Sequence, residues 1–383
     1  MNYQCEICGR PLGYQGLCWV CRAERERAAV MAWTDEEIRE KFSHLIANVH
    51  KLDDWKTEEY DTALKLISIR GLWSEDLQRA ALDAGAFSLA QLYYHAPADV
   101  RDGLIRRLME TQSSHEAGNL MECLAMQGDD EALAALLDLE RHPKPWRQEL
   151  YVDPSSYAQC GGWTFDRDGK RIMLGFDKCY RLRKADEMSE SPKSPESPNS
   201  PHPPSRRSPV KIGRPRKEKC RQCGCTAVDM MVIDGRDERL AFLGIDGVFT
   251  ASCCPNCVCF MEAGYSRYTL DGGSTLLDTE TDVDDLENYI EEEEFEKMAA
   301  NPYVLDDKPS PLFLGACYED LNTIGGFANW IQDWQYATCP DCGRPMRYLA
   351  QIQWDTLMEY AEGTLYIEFC PDCQVAAMIH QQT

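Results

Sequence analysis

The chain has 383 residues, 44% of them hydrophobic, and a formal net charge of −24. It is long enough for two or three domains with cores of their own and too acidic to hold a phosphate backbone over most of its surface. No apolar run approaches the roughly 18 residues of a bilayer span, and Met1-Asn2-Tyr3-Gln4-Cys5 lacks the basic and apolar regions of a signal peptide, so a cytoplasmic, membrane-free protein is expected.

Nineteen cysteines do not form a disulfide framework in a reducing compartment, and their pairing at C-x-x-C spacing points to metal. The first such module spans residues 1–22, where Cys5-Glu6-Ile7-Cys8-Gly9 is followed after a short loop by Cys18-Trp19-Val20-Cys21. A helical region is expected over 23–145, with apolar residues at three- and four-residue spacing. Thr34-Asp35-Glu36-Glu37 predicts a capping box, Thr57 and Ser74 cap the helices behind them, and Pro97 fits a first turn. Six or seven short helices in antiparallel pairs follow from this pattern, and the last of them, Asp129 to Leu137 after Gly128, resembles a HEAT-type repeat.

The period changes after Pro143 and Pro145. Over 146–184 a β-hairpin is expected, Gly162 to Phe176, with Asp168-Gly169 as its turn. Residues 185–218 lose nearly all bulky apolar character and repeat Ser-Pro, which predicts a disordered linker. Within it, Lys211-Ile212-Gly213-Arg214-Pro215-Arg216-Lys217 resembles an AT-hook, with Arg214 and Arg216 as candidate nucleic-acid contacts. One such copy on a chain of this charge gives weak, salt-sensitive binding, so nucleic acid is disfavoured as a partner.

The last segment, 219–383, contains an internal repeat. Cys220-Arg221-Gln222-Cys223-Gly224, a strand, a loop, a strand and Cys254-Pro255-Asn256-Cys257 are followed by the same order from Cys339-Pro340-Asp341-Cys342-Gly343 to Cys370-Pro371-Asp372-Cys373. Thirty residues (224–253) and 27 residues (343–369) separate the inner cysteines, a similarity that points to duplication.

Tetrahedral zinc takes four thiolates from two C-x-x-C turns, and a glycine after the second cysteine relieves the turn. Three structural Zn2+ sites are expected: Cys5, Cys8, Cys18 and Cys21; Cys220, Cys223, Cys254 and Cys257; Cys339, Cys342, Cys370 and Cys373. Cys225, Cys253 and Cys259 lie beside the second set and can exchange with it, whereas Cys123, Cys160, Cys179 and Cys317 are expected as buried small hydrophobes. Four-cysteine sites are closed, and the seven histidines are scattered with no H-E-x-x-H, nucleophile elbow or phosphate loop, so no enzyme and no catalytic residue is expected.

An acidic insertion occupies 278–296, with eleven Asp and Glu residues and no basic residue before Lys297. A solvated face is the plain reading. Leu286, Tyr289, Ile290 and Phe295 lie among the acids and can dock as a short amphipathic helix, which makes Glu287, Tyr289, Glu291, Glu292, Glu293, Glu294 and Phe295 candidate partner-binding residues.

Gly325-Gly326-Phe327-Ala328-Asn329-Trp330-Ile331-Gln332, Met346, Leu349, Ala350, Gln351 and Cys370-Pro371-Asp372-Cys373 together resemble the bacterial YwqG-like domain, and more distantly the C-terminal part of eukaryotic chaperones of a nascent ribosomal protein. Phe327-Ala328, where that family tends to have proline before tryptophan, and the acidic insertion depart from it. The resemblance implies a duplicated, mostly β zinc domain without catalytic residues. The whole arrangement, with a helical region leading into a Gly161-Gly162-Trp163 hairpin that ends in Cys179-Tyr180-Arg181-Leu182, resembles immunity proteins encoded beside Rhs-type polymorphic toxins. That resemblance implies an inhibitor which occludes a cognate toxin with a basic active cleft, such as an ADP-ribosyltransferase. The alternatives are a chaperone or adaptor for a basic client such as a ribosomal protein, and a DNA-associated regulator. The expected fold class is α+β: zinc knuckle, HEAT-like helices, linker, and a duplicated mostly β zinc domain.

Overall fold

The computed structural model describes residues 3–184, 208–278, 281, 283, 286–299, 303–316, 322–358 and 361–382. They divide into two units, 3–173 with 311–316, and 174–310 with 322–382. The expected hairpin segment 146–184 is thus shared out between the two.

The first unit begins with two short antiparallel strands, β1 (Tyr3–Gln4) and β2 (Pro11–Leu12), and the helix α1 (Trp19–Met31). Six more helices follow: α2 (Asp35–Ala47), α3 (Glu58–Ser68), α4 (Glu75–Ala84), α5 (Ala98–Glu110), α6 (Ser114–Gln127) and α7 (Asp130–Arg141). Their starts are set by local chemistry. The Glu37 amide donates to Thr34 Oγ1 at 3.2 Å while the Thr34 amide donates to Glu37 Oε2 at 2.7 Å, which closes the expected capping box. Thr57, Ser74, Ser113 and Asp129 each accept from an amide of the first turn behind them. Pro97 sits one position earlier than expected, at the N-cap of α5.

Leu45, Leu66, Leu104, Leu124 and Leu136 are buried along the inner faces of these helices. The 3-10 helix Pro154–Gly161 packs on α6, and a Cβ at Gly161 would lie 2.0 Å from the Ala125 carbonyl oxygen, so only glycine permits that approach. The strands β3 (Trp163–Phe165) and β4 (Arg171–Met173) form the expected hairpin, with Asp166 Oδ1 accepting from the Asp168 and Lys170 amides across the turn. Phe313 returns to this unit from far along the chain and packs edge-on against Tyr94 at 5.1 Å.

The second unit contains β5 (Cys179–Lys184), β6 (Val210–Lys219), β7 (Thr226–Asp234), β8 (Val248–Cys253), β9 (Gly264–Tyr268), β10 (Ser274–Leu276), helix α8 (Glu292–Ala299), β11 (Tyr303–Leu305), β12 (Asn322–Gly325), β13 (Arg347–Gln353), β14 (Thr364–Cys370) and β15 (Val375–Gln381). An eight-stranded antiparallel sheet runs β10-β9-β15-β14-β13-β12-β5-β11, and a three-stranded one runs β6-β7-β8. Phe249 of the smaller sheet meets Tyr268 at 4.6 Å and Phe369 at 6.0 Å, so aromatic edges join the two sheets over one core.

Residues 210–219 correct the expected extent of the linker, of which 185–207 lie outside the described residues. They form the edge strand β6, paired with β7 from Val210↔Ile233 to Lys219↔Thr226. Pro215 is tolerated because only one side of an edge strand needs donors, and Val210 and Ile212 are buried.

The β7–β8 and β13–β14 hairpins share a register. Asp229, six residues after Cys223, pairs with Ser252, two before Cys254; Tyr348, six after Cys342, pairs with Glu368, two before Cys370. Each has a bulge at the next position, Met230 and Leu349.

Candidate metal centres

All three expected cysteine sets come together, each with its four sulfurs within 4.8 Å of one another. Among the described residues no other group of His, Cys, Asp or Glu does so. A tetrahedral ion with bonds of about 2.3 Å to sulfur requires S–S edges of about 3.8 Å. The observed separations are 3.6 Å for Cys8–Cys18, 3.6 Å for Cys220–Cys257, 3.5 Å for both Cys223–Cys254 and Cys223–Cys257, and 3.8 Å for Cys342–Cys370. The chain therefore presents three four-thiol clusters suited to a metal ion and consistent with zinc.

The first pair of each site is one turn repeated three times. Gly9, Gly224 and Gly343 have φ of 72°, 73° and 68°, a left-handed conformation that lets their amides donate to the carbonyls of Cys5, Cys220 and Cys339 at 3.0, 3.0 and 2.9 Å. The same cysteines' amides donate to Arg10, Cys225 and Arg344 carbonyls at 2.8, 2.7 and 2.9 Å, closing the turn.

The second pairs differ. Cys18 caps α1, so the helix N-terminus faces the sulfurs of site one and favours their thiolate form. The Cys18 amide donates to Cys5 Sγ at 3.3 Å. In site two, at the end of β8, the Cys257 amide donates to Cys254 Sγ at 3.4 Å. Site three closes with a left-handed Gln374 (φ 55°) that turns the chain directly from Cys373 into β15.

Electrostatics prepare the sulfurs unevenly. The Arg344 guanidinium donates to Cys342 Sγ at 3.5 Å and pairs with Asp372, and with a backbone bond it brings the Cys342 thiol down to about 6. The Cys8 amide likewise leads in lowering Cys5 to about 6. Burial pushes Cys373 up to about 12 and raises Cys18, Cys21 and Cys257 as well. A cluster that ionises readily at one sulfur and reluctantly at the others needs a cation to hold all four as thiolates.

Among the spare cysteines, Cys123 and Cys179 are buried small groups, Cys160 is half-buried, and Cys317 lies outside the described residues. Cys254 and Cys257 join Cys220 and Cys223 in the site-two cluster, while Cys253 is buried and exposed Cys259 donates to the Pro255 carbonyl. His380 accepts from Trp354 Nε1 at 2.7 Å, a packing role.

The candidate partner-binding segment is anchored rather than free. Leu286 and Phe295 are buried in the core of their own unit, which corrects the expectation that they are available for docking: Phe295 and Met298 fix α8 to that core. Tyr289 is 70% exposed, and Glu287, Glu291, Glu292 and Glu293 are exposed around it. Glu294 is half-buried and pairs with Lys297, and Glu292 pairs with Lys219. Residues 279, 280, 282, 284 and 285 of the insertion lie outside the described residues. The AT-hook-like segment is also committed, since it is strand β6. Arg216 pairs with Asp229 at 2.9 Å and Glu218 at 2.9 Å and bonds the Ser274 carbonyl; Arg214 is exposed, opposite Asp229 in the ladder. A minor-groove hook needs an extended segment free to enter the groove, and here the ladder holds it.

Three residues escape spacing arguments. Asn256, inside the site-two turn, donates to the Glu287 carbonyl at 2.9 Å and accepts from the Tyr289 amide at 3.2 Å, which hooks the acidic segment to the metal turn. Glu368, beneath site three, is fully buried; one oxygen accepts from the Ala337 amide at 2.8 Å and the other has no partner among the described residues, so burial holds the carboxyl well above its ordinary range. Arg344 is the third, and aligning the three knuckles would have exposed it: the position five after the first cysteine is Arg10, Cys225 and Arg344.

No helix among the described residues is long and apolar enough to cross a membrane. No family model matches the chain, and no solved structure matches it. It is similar to the uncharacterized protein YpfL of Salmonella typhimurium, 26% identical over 342 residues that cover 81% of this chain and 74% of that protein.

Proposed function

We propose that the chain is a non-catalytic, cytoplasmic binding protein of the immunity type, with zinc as the ion in all three sites and a basic toxin as its partner. The observation that carries this reading is the exposed Tyr289 set among exposed glutamates on a segment whose backbone is hooked to the site-two turn by Asn256. A rigidly held aromatic in an acidic surround complements a basic cleft and adds desolvated contact to long-range steering. Closed four-thiol sites leave an ion no open position for substrate, which fits a scaffold role. The α2–α7 helices are read as a HEAT-like stack and the two hairpins as copies of one unit, a reading supported by their shared register and bulge.

Metal analysis of the purified chain is expected to return three zinc ions. For the partner, capture of the full chain from its host is expected to recover a basic protein whose toxicity the chain relieves. Changing Glu291, Glu292 and Glu293 to glutamine is expected to weaken that complex by about tenfold or more and to flatten its salt dependence. Unchanged affinity, or recovery of nucleic acid alone, overturns the reading.

A further inference from the structure

The tips of the three metal turns are used differently. In the second unit they are taken up locally: Arg221 pairs with Asp278 at 3.3 Å, Asn256 holds the acidic segment, Asp341 pairs with Arg267 at 2.8 Å, and Asp372 pairs with Arg344. The tips of site one are Glu6-Ile7 and Trp19-Val20, and the 3.6 Å contact of Cys8 with Cys18 sets them side by side. Ile7 is 57% exposed, Trp19 37%, and Tyr14, in the loop between them, 45%. Arg10 lies 6.0 Å from the centre of the Trp19 ring. Helix α1 continues this surface as a row at three-residue spacing, Trp19, Arg22 and Arg25, all three exposed. Its two acids lie to the side: Glu24 and Glu26 are half-buried, and Glu26 pairs with Lys65 of α3. Arg10, Arg22 and Arg25 have no ion pair among the described residues, and Glu6 is the one exposed acid from Tyr3 to Met31.

On a chain of net charge −24 this surface therefore sets three arginines against one glutamate. Screening at physiological salt confines its field, and that of the acidic remainder, to about 8 Å. Four thiolates around a divalent ion would add two negative charges at one end of the row, so charge alone holds a ligand weakly here. The exposed rings must supply the rest, and the ligand must offer flat faces as well as anionic groups. We propose that the first module binds single-stranded nucleic acid, with bases stacked on Trp19 and Tyr14 and phosphates on Arg10, Arg22 and Arg25. A duplex keeps its base faces stacked inside, and an acidic peptide brings carboxylates without such faces, so neither engages both halves of the surface. The AT-hook-like strand takes no part. The surface shares no residue with the segment from Glu287 to Glu293 and stands whether or not a toxin binds there.

The metal-loaded full-length chain is titrated into a labelled single-stranded RNA of about twelve nucleotides, and into DNA of the same sequence, with anisotropy as the readout. Binding of one or both strands in the micromolar range is expected, with log Kd rising against log salt at a slope of about 2, or about 0.7 for each of three phosphates. Unlabelled single strand is expected to compete at least about tenfold better than the matching duplex or a glutamate-rich peptide. Trp19→Ala is expected to weaken binding about tenfold, with most of it kept in Trp19→Phe, and Arg22→Gln together with Arg25→Gln to cut the slope to about 0.7. Metal content is measured on each variant; if Trp19→Ala loses an ion, the arginine pair decides. Glu291→Gln, Glu292→Gln and Glu293→Gln together are expected to leave strand binding unchanged, so failure here and failure of the toxin reading are distinguishable. No binding at about 100 μM chain in about 50 mM salt, equal competition by duplex or peptide, or an undiminished slope in the arginine pair overturns the proposal.

Discussion

The N-terminal module and the β13–β14 hairpin carry the same metal turn in opposite surroundings. From Tyr3 to Ala29 only Cys5 and Cys18 are buried, and α1 buries nothing before Val30. In β14, by contrast, every residue from Thr364 to Cys370 is buried, beneath a sheet neighbour on each side. A bound ion would stand in for a core in the first case; in the second it would trim the end of a hairpin that a core already holds. The same ligand set therefore contributes very differently to folding.

Cysteine replacement breaks this comparison most directly. Cys18→Ala removes a ligand and the α1 cap together, and because binding in small zinc modules is worth roughly 10–16 kcal/mol, residues 3–29 are expected to lose protection from protease and hydrogen exchange completely. Cys370→Ser is expected to cost on the order of 4–5 kcal/mol, lowering the melting temperature while one cooperative transition persists. Equal loss of local protection around both sites would refute the distinction.

Glu368→Gln sharpens it on the buried side. A carboxyl raised by burial stabilises the fold fully only below the ordinary carboxylate range, and that contribution falls as pH rises toward the folded-state value. Glutamine keeps an acceptor for the Ala337 amide without the charge. The variant is expected to gain on the parent in unfolding free energy as pH rises from 5 to 8, by on the order of 1 kcal/mol per pH unit. A gain that is independent of pH would count against the burial argument.

Arg344→Ala has the smallest expected effect. Arg344 holds the Cys342 thiol down to about 6, so the thiolate is favoured above that value and lost as pH falls through it. Without the guanidinium the thiol moves back up, and the midpoint of acid-induced metal loss is expected to rise by about half a pH unit at site three alone. A dye titration on the parent and variant reads this out.

The twelve clustered thiols were legible because a C-x-x-C-Gly turn leaves its own spacing in the sequence, and the Asp168-Gly169 hairpin because its turn chemistry is local. The end of the linker was not: Gly213-Arg214-Pro215-Arg216 contains no apolar run, and it is a strand only because β7 supplies the pairing from another segment. Burial of Phe295 was equally hidden, since its apolar neighbours in the core come from distant strands. Asn256 looked like filler between two ligands, and nothing local marks which backbone it holds.

Strand β5 has a consequence for synthesis. Its ladder partners, β11 and β12, begin at Tyr303 and Asn322, so an emerging chain carries Cys179–Lys184 with both edges open until well over a hundred further residues have been made. At roughly 5–20 residues per second that interval is on the order of ten seconds. Throughout it residues 3–173 can already fold while this half-apolar ribbon stays open, which exposes a nascent copy to wrong pairing with its neighbours on a polysome.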